Sequence, residues 1–369
     1  MAKLGEVCEI LDSQRIPVTA ANRESGPYPY YGANGIQDYV ANYIFDDELV
    51  LLAEDGGNFG SKDKPIAYRV SGKCWVNNHA HVLKPKQGVD VDYLCYSLMF
   101  YDVTGLVNGA TRQKLTQADM KKIEIPLPSM EEQRRIAATL DKVSDLIAKR
   151  RAQLDKLDEL VKSRFIEMFG DPVQNPLSWD TASLLEMGYC KNGMNFRSGD
   201  SGVQIHCLGV GDFKDYTVIN GTKNLPMISL NENPPKETML QDGDIVFVRS
   251  NGNKALVGRC LAVYPRNTPT TYSGFCIRYR LTSEQLNEVY LLHVLKTSSM
   301  RKQMSGRGAN IQNLNQQILA ALNIPIPPMK LQKEFAGVFA KTEEVKLTIQ
   351  QSLDKLEVLR KSLMQEYFG

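Results

Sequence analysis

From Ser129 to Phe169 the chain carries neither glycine nor proline, and its apolar residues recur at alternating intervals of three and four. Ile136, Leu140, Val143, Ile147, Leu154, Leu157, Val161 and Met168 fall on one seam, which Arg150 and Arg164 interrupt. A second run places Phe335, Phe339, Ile349, Leu353, Leu356, Leu363 and Tyr367 on the corresponding positions, with Thr342, Lys346 and Arg360 as interruptions. Such spacing predicts two long helices that each need a partner helix, as in a coiled coil. At about 1.5 Å per residue, some forty residues make a rod of roughly 60 Å. That is more than a small domain can cover. The expected arrangement is therefore an antiparallel pair, a ruler with a strand-rich domain at each end; the other reading is two surface helices, each packed on its own domain. Ser129 with Glu132 reads as a capping box that starts the first helix. The second copy has Pro328 and Leu331 at those positions and lacks the box.

Outside these runs the pattern shortens to strands, β-branched and aromatic stretches bounded by Gly, Asn and Asp. In the first half they include Glu48–Ala53, Ile66–Val70 and Ala80–Leu83; in the second, Asp244–Arg249, Leu256–Val263 and Cys276–Arg280. ELVLLAEDGG and DIVFVRSNGN share an outline, a strand running into a Gly/Asn turn.

The halves are copies of one another. IPLPSMEEQRRIA begins at Ile125 and IPIPPMKLQKEFA at Ile324, an offset of 199 residues. At that offset Gly109-Ala110 meets Gly308-Ala309, Leu115 meets Leu314, Gln133 meets Gln332, and Leu154–Leu157 meets Leu353–Leu356. Phe169-Gly170 likewise meets Phe368-Gly369. The expected organisation is a strand-rich domain over 1–128, a helix over 129–170, a second domain over 171–327 and a second helix over 328–369. Asp171–Pro176 is the polar, proline-marked linker. The fold class is α+β with a pseudo-twofold repeat.

Composition narrows the function. A length of 369 residues suits two or three domains, and 43% hydrophobic content supports real cores. The net charge of +2 announces no nucleic-acid binder, so any basic surface must be local. Seven scattered cysteines, none spaced as C-x-x-C, fit reduced thiols in a cytoplasmic protein. The amino terminus lacks a long apolar segment, and no run is apolar enough to span a membrane.

Catalytic chemistry is not visible. Asn233-Pro234-Pro235 precedes Lys236 where an adenine methyltransferase motif would place a base-stacking aromatic. Asp55–Lys62 fails the spacing of a phosphate loop. His79 and His81 would share one face of a strand, but nothing in the sequence completes a metal site. No metal and no cofactor are expected in this chain.

Taken together, G-x(5)-L followed by I-P-[LI]-P-x-M-x-x-Q at the end of each domain, running into a long helix, resembles the repeated conserved region of Type I restriction–modification specificity subunits. The YYGANG and NNHAHVL runs and the Trp179 opening of the second domain are similar to that family's target recognition domains. The resemblance covers the whole chain. It implies a non-enzymatic reader of double-stranded DNA, one half of a bipartite target per recognition domain, with the helix pair fixing the spacer. It further implies two modification subunits, which carry S-adenosylmethionine and methylate adenine, docked along the helices, with restriction subunits joining through them. A duplicated coiled-coil adaptor that tethers other proteins without reading DNA is the alternative.

Base edges are read by Arg or Lys at guanine and Asn or Gln at adenine, and phosphates by positive charge. In the first domain the candidates are Asn58, Lys62, Lys64, Asn77, Asn78, His79 and His81, with Arg112 and Lys114 near the hinge; for Asn77–His81 the alternative is a set of turn caps. In the second they are Arg249, Asn251, Asn253, Lys254 and Arg259, then Arg301, Lys302, Arg307, Asn310, Gln312 and Asn313. Both second-domain stretches are basic and contain no acid.

Overall fold

A computed structural model describes the chain except residues 62–63, 110–112, 198, 214–216 and 306–312, and the side chain of Ser305. Two compact units result, Met1–Ala152 with Gln350–Gly369, and Gln153–Ile349. Each unit therefore holds one strand-rich domain and part of both long helices. The four expected segments mark elements, whereas the compact units cut across the helices.

The first unit is built on a six-stranded sheet, in the order Cys8–Ile10, Ala80–Pro85, Phe45–Ala53, Ala67–Val76, Ser25–Gly32, Gly35–Val40. Phe45–Ala53 lies inside it, and from Leu49 onward every residue is buried. Val50 and Leu52 face a core shared with the helix Val91–Met99, while Leu49 and Leu51 face a second core with Val70 and Val82. A strand buried on both faces is apolar throughout, which is why ELVLLA shows no polar alternation. The second unit repeats the device. Asp244–Val248 lies inside a five-stranded sheet, with Ile245 and Phe247 in one core and Val246 and Val248 in another. A separate three-stranded sheet joins Met227–Leu230, Val203–Leu208 and Thr270–Tyr272.

Expected strands are found with shifted ends. Leu256–Val263 is the exception: the strand is Cys260–Tyr264, and Leu256 ends a short 3-10 turn capped by the Asn253 side chain. The hairpin Ser25–Gly32/Gly35–Val40 was not expected, since its Gly, Pro and Tyr content lacks a clean alternation.

The long helices span Met130–Phe169 and Met329–Phe368, 40 residues each. Within the first unit, Ile136, Ala137 and Leu140 pack with Leu363, Met364, Tyr367 and Phe368 around Tyr93 and Tyr96. Arg151 meets Glu357 at 2.6 Å. Within the second, Phe165 and Phe169 pack on Phe335 and Tyr290, and Lys346 reaches Asp158 at 2.8 Å. In both units one helix rises in number as its partner falls, so the pairing is antiparallel. Ile136, Leu140, Val143, Ile147, Val161, Phe335, Phe339 and Leu353 are buried, and Leu154, Leu157, Ile349, Leu356 and Leu363 half-buried. Phe165 and Phe169 belong to the interface too and were missed. Of the expected capping box, Ser129 Oγ accepts the Glu132 N–H at 3.3 Å, but the Glu132 carboxylate takes its bonds from Arg135. Among the described residues no helix is long and apolar enough to cross a membrane.

Candidate nucleic-acid interface

Each central strand leaves its sheet into a loop held by the same backbone bonds. In the first unit Glu54 N–H donates to His79 C=O at 2.9 Å, and Leu115 N–H donates to Glu54 C=O at 2.7 Å. In the second, Arg249 N–H donates to Phe275 C=O at 2.8 Å, and Leu314 N–H donates to Arg249 C=O at 2.8 Å. Bridges follow one residue on, Asp55 to Lys114 and Ser250 to Asn313. The frame thus aligns Glu54 with Arg249, His79 with Phe275 and Leu115 with Leu314. It gathers the loop after the central strand, a turn before the next inner strand, and the segment leading to the hinge.

In the first unit, these elements enclose a buried charge cluster. His81 is fully buried, with Nδ1 at 2.7 Å from Asp12 Oδ2 and Nε2 at 2.9 Å from Leu115 C=O. Arg15 bonds Glu54 at 2.5 Å and Lys114 Nζ lies 3.0 Å from Glu54 Oε1. Burial alone would raise both carboxyls. The His81 and Val82 bonds and Arg15 instead hold Asp12 below its ordinary range, and Arg15 and Lys114 do the same for Glu54. Asp12, Glu54 and His81 are, among the described residues, a group whose ligand atoms converge as a metal site would require. Arg15 and Lys114 supply counter-charge to these carboxylates, Arg15 to both and Lys114 to Glu54.

Two candidates are corrected by this arrangement. His81 is interior, because its strand is buried on both faces from Ala80 to Leu83 and its ring bonds Asp12. Asn77 is buried, donates to Gln37 at 3.1 Å and accepts the His79 N–H at 2.8 Å, so it is a turn cap. Asn78 and Lys64 are exposed, Asn58 is half-buried, and His79 is half-exposed with Nδ1 2.6 Å from Asp55. The Lys114 side chain is 50% exposed although its amine pairs with Glu54. Lys62 and Arg112 lie outside the described residues. The sequence reading also missed the hairpin turn: Asn34 donates to Gly56 C=O at 3.0 Å, placing Ala33-Asn34 beside the same loop.

In the second unit Arg249 Nη1 donates to Gly274 C=O at 3.3 Å, and the Asn251 side chain accepts the Asn253 N–H at 2.8 Å. Asn253, Lys254, Lys302 and Asn313 are exposed, and Asn251 and Arg259 half-buried. Arg301 leans back to the carbonyls of Ala255 at 3.2 Å and Val257 at 3.3 Å, and burial pulls its guanidinium below the ordinary range. It braces the loop rather than projecting from it. Arg307, Asn310 and Gln312 lie outside the described residues. Six cysteines are buried and Cys190 half-buried, and burial pushes most of the thiols up to about 12, far from a reactive thiolate.

Beneath the loops a second shared set fixes each domain to its helix. Gln133 accepts Asp90 N–H at 2.9 Å and donates to Gly88 C=O and Pro128 C=O. Gln332 accepts Asn287 N–H at 2.8 Å and donates to Gln285 C=O and Pro327 C=O. Tyr93 and Tyr290 donate to Pro126 and Pro325. The repeated I-P-x-P phrase is thus the joint between a domain and a helix start.

A twice-built α+β domain, each copy clamped to a long helix pair and presenting loops of unlike chemistry on one frame, defines a duplicated recognition scaffold. The family model described as the Type I restriction modification DNA specificity domain matches residues 1–157 and 210–358, and the chain belongs to that family. It is 30% identical over 381 residues to a Haemophilus influenzae chain described as a type I restriction enzyme specificity subunit, covering 98% of this chain and 94% of that one. The StySPI specificity subunit of Salmonella potsdam is 25% identical over 348 residues, 87% of this chain and 74% of that one. The crystal structure of the Type-I restriction-modification S subunit from M. genitalium superposes with a TM-score of 0.61 at 14% identity, covering 100% of this chain and 95% of that chain, a likeness of fold.

Proposed function

We propose that this specificity subunit reads double-stranded DNA in two halves, one per recognition domain, while the long helices fix the spacer and dock two modification subunits. Those partners supply S-adenosylmethionine and the methyl transfer to adenine, and restriction subunits join through them. The observation that carries this reading is the frame itself. Identical backbone bonds hold Glu54, His79 and Lys114 in one unit and Arg249, Phe275 and Asn313 in the other. A fixed scaffold with divergent loop chemistry is what reading two different half-sites requires. Exposed apolar residues on the helices, Leu146, Val358 and Leu359 in the first unit and Leu160, Val345 and Leu347 in the second, support docking of protein partners there.

The test is to map methylated adenines in a genome expressing the chain with its modification partner. Arg249→Ala relaxes or weakens the second half of the motif by about 1–3 kcal/mol and leaves the first half unchanged. An altered first half, or no change in either, overturns the assignment of this loop. Duplex binding that falls steeply with salt separates this reading from the adaptor.

A further inference from the structure

The turn Ser273–Phe275 carries a side chain that the polar reading of its loop cannot use. Phe275 is 61% exposed, though it directly precedes the fully buried Cys276. Its backbone is fixed on both sides: its carbonyl accepts from Arg249 and Ser250, and its N–H donates to Ser273 Oγ at 3.3 Å. The neighbouring loop lies close against the turn. Gly274 N–H donates to Met194 C=O at 2.7 Å, and a Cβ added at Gly274 would sit 2.1 Å from Asn195 Oδ1. Two residues beyond Met194 in that loop stands Phe196, 39% exposed, followed by the exposed Arg197.

A lone exposed apolar residue is ordinary on a protein surface. This one differs in three respects. Its backbone is tied by hydrogen bonds at both the carbonyl and the N–H. It stands beside Arg249, at the head of a stretch that carries Lys254 and Arg259 and no acid. The aligned position of the first unit is His79, whose ring is held by Asp55 at 2.6 Å, so the frame does not require an aromatic hydrocarbon there. An apolar ring beside a guanidinium suits an occupant with negative edges and flat apolar faces, which describes a nucleic-acid duplex opened at one base step.

We infer that Phe275 is a wedge that enters the stack of the second half-site, unstacking one base step, with Arg249 holding the adjacent backbone or base edge. Apolar wedges of this kind kink duplexes, most readily at pyrimidine–purine steps. The inference rests on the DNA-reading proposed above and adds a mode of contact to it.

The experiment uses the full complex with its modification subunits and duplexes carrying the mapped target, with 2-aminopurine placed in turn at each position of the second half-site other than the methylated adenine. The wild-type complex gives enhanced fluorescence at one step. Phe275→Ala abolishes that enhancement and weakens binding about tenfold, the scale of a lost base–aromatic stack. Phe275→Leu retains most of the fluorescence signal, because unstacking needs bulk, but loses part of the affinity that the ring's stacking supplies. Enhancement that persists in Phe275→Ala, or a wild-type complex that binds the duplex without unstacking any step, overturns the wedge and leaves the DNA-reading intact. A wild-type complex that does not bind the duplex in a parallel titration takes both down.

Discussion

Where the central strand of the first unit ends, the chain places Glu54; at the same point of the second it places Arg249. Both residues donate their N–H to the turn before the next inner strand and accept from the leucine that precedes the hinge, with distances that differ by about a tenth of an ångström or less. Their side chains do opposite things. Glu54 is drawn inward to Arg15 and Lys114, whereas Arg249 lies over the carbonyl of Gly274. Below them the contrast continues: His81 brings a buried charge cluster to the first unit, and the second has the apolar Ile277 at the aligned place. Against the helix pair, Tyr96 bonds Asp141 in the first unit at 2.7 Å, while His293 in the second sits among Phe165, Phe335 and Phe339. The backbone bonds of the loop frame and the side-chain bonds of the hinge are thus the shared part of the duplication, and the charges around the loops the part each copy solved separately.

The largest effect is expected where only the first unit is vulnerable. Arg15→Leu leaves Glu54 and Asp12 buried with less compensation, and removing one partner of a buried ion pair costs about 3–5 kcal/mol. Hydrogen exchange on the full chain reads the outcome by region. Protection of Leu49–Ala53 falls steeply and that of Ile245–Val248 is kept. Equal loss in both strands would contradict the separateness of the two networks.

Acid tests the second unit in the opposite sense. Burial among aromatic rings lowers His293 from 6.5 to about 4, with Lys296 and Lys346 adding to the effect against the bond to Val289 C=O. The unfolded chain binds a proton below about pH 6.5 that the folded unit refuses, so stability is complete above that value and declines as pH falls toward 4. The loss is on the order of 3 kcal/mol at the bottom of that window. Asp12 and Glu54 are also depressed, but from ordinary values of 3.8 and 4.5, so their contribution fades only below those values. Between pH 6.5 and 4.5 the second unit should therefore lose exchange protection first, and His293→Phe should flatten its dependence. A first unit that loosens earlier would refute this order.

What could be read from the sequence follows from which forces leave a one-dimensional trace. The long helices did, because a 3-4 spacing sustained over forty residues arises when one face of a helix is buried along its whole length, and the 199-residue offset fixed their equivalence. Glu48–Ala53 and Asp244–Arg249 showed as apolar runs because both faces of each strand are covered. The candidate loops were picked by composition, and the structure brings Arg249 and Asn313 onto one frame. His81 and Asn77 went wrong because an interior polar residue is spelled like an exposed one; only the partners Asp12 and Gln37, some 69 and 40 positions away, tell them apart. Phe275 was passed over because an apolar residue before CIRYR reads as core. The alignment of Leu4-Gly5-Glu6 with Leu184-Leu185-Glu186, where Lys3 and Ser183 N–H donate to Glu6 and Glu186, falls outside the 199 offset and was invisible to it.

The smallest effect sharpens the shared half of the comparison. Gln133 and Gln332 are fully buried and each makes three hydrogen bonds across its hinge, to the capped start of a domain helix, to the loop before it and to the proline carbonyl ahead of the long helix. Methionine keeps the volume but abandons one N–H and two carbonyls that water cannot easily reach. Net costs of unmade bonds of this kind, after partial relaxation, come to about 2 kcal/mol. Because the bonds are the same in kind and nearly in length, Gln133→Met and Gln332→Met should destabilise their own units by amounts within about 1 kcal/mol of each other, measured as lost exchange protection around Val91–Met99 and Glu288–Lys296. A large inequality would mean that the surrounding side chains, and not the repeated phrase, carry the joint. Equality would place common stability of the duplication in the repeated hinge, and would explain how two domains with unlike loops can keep one handle.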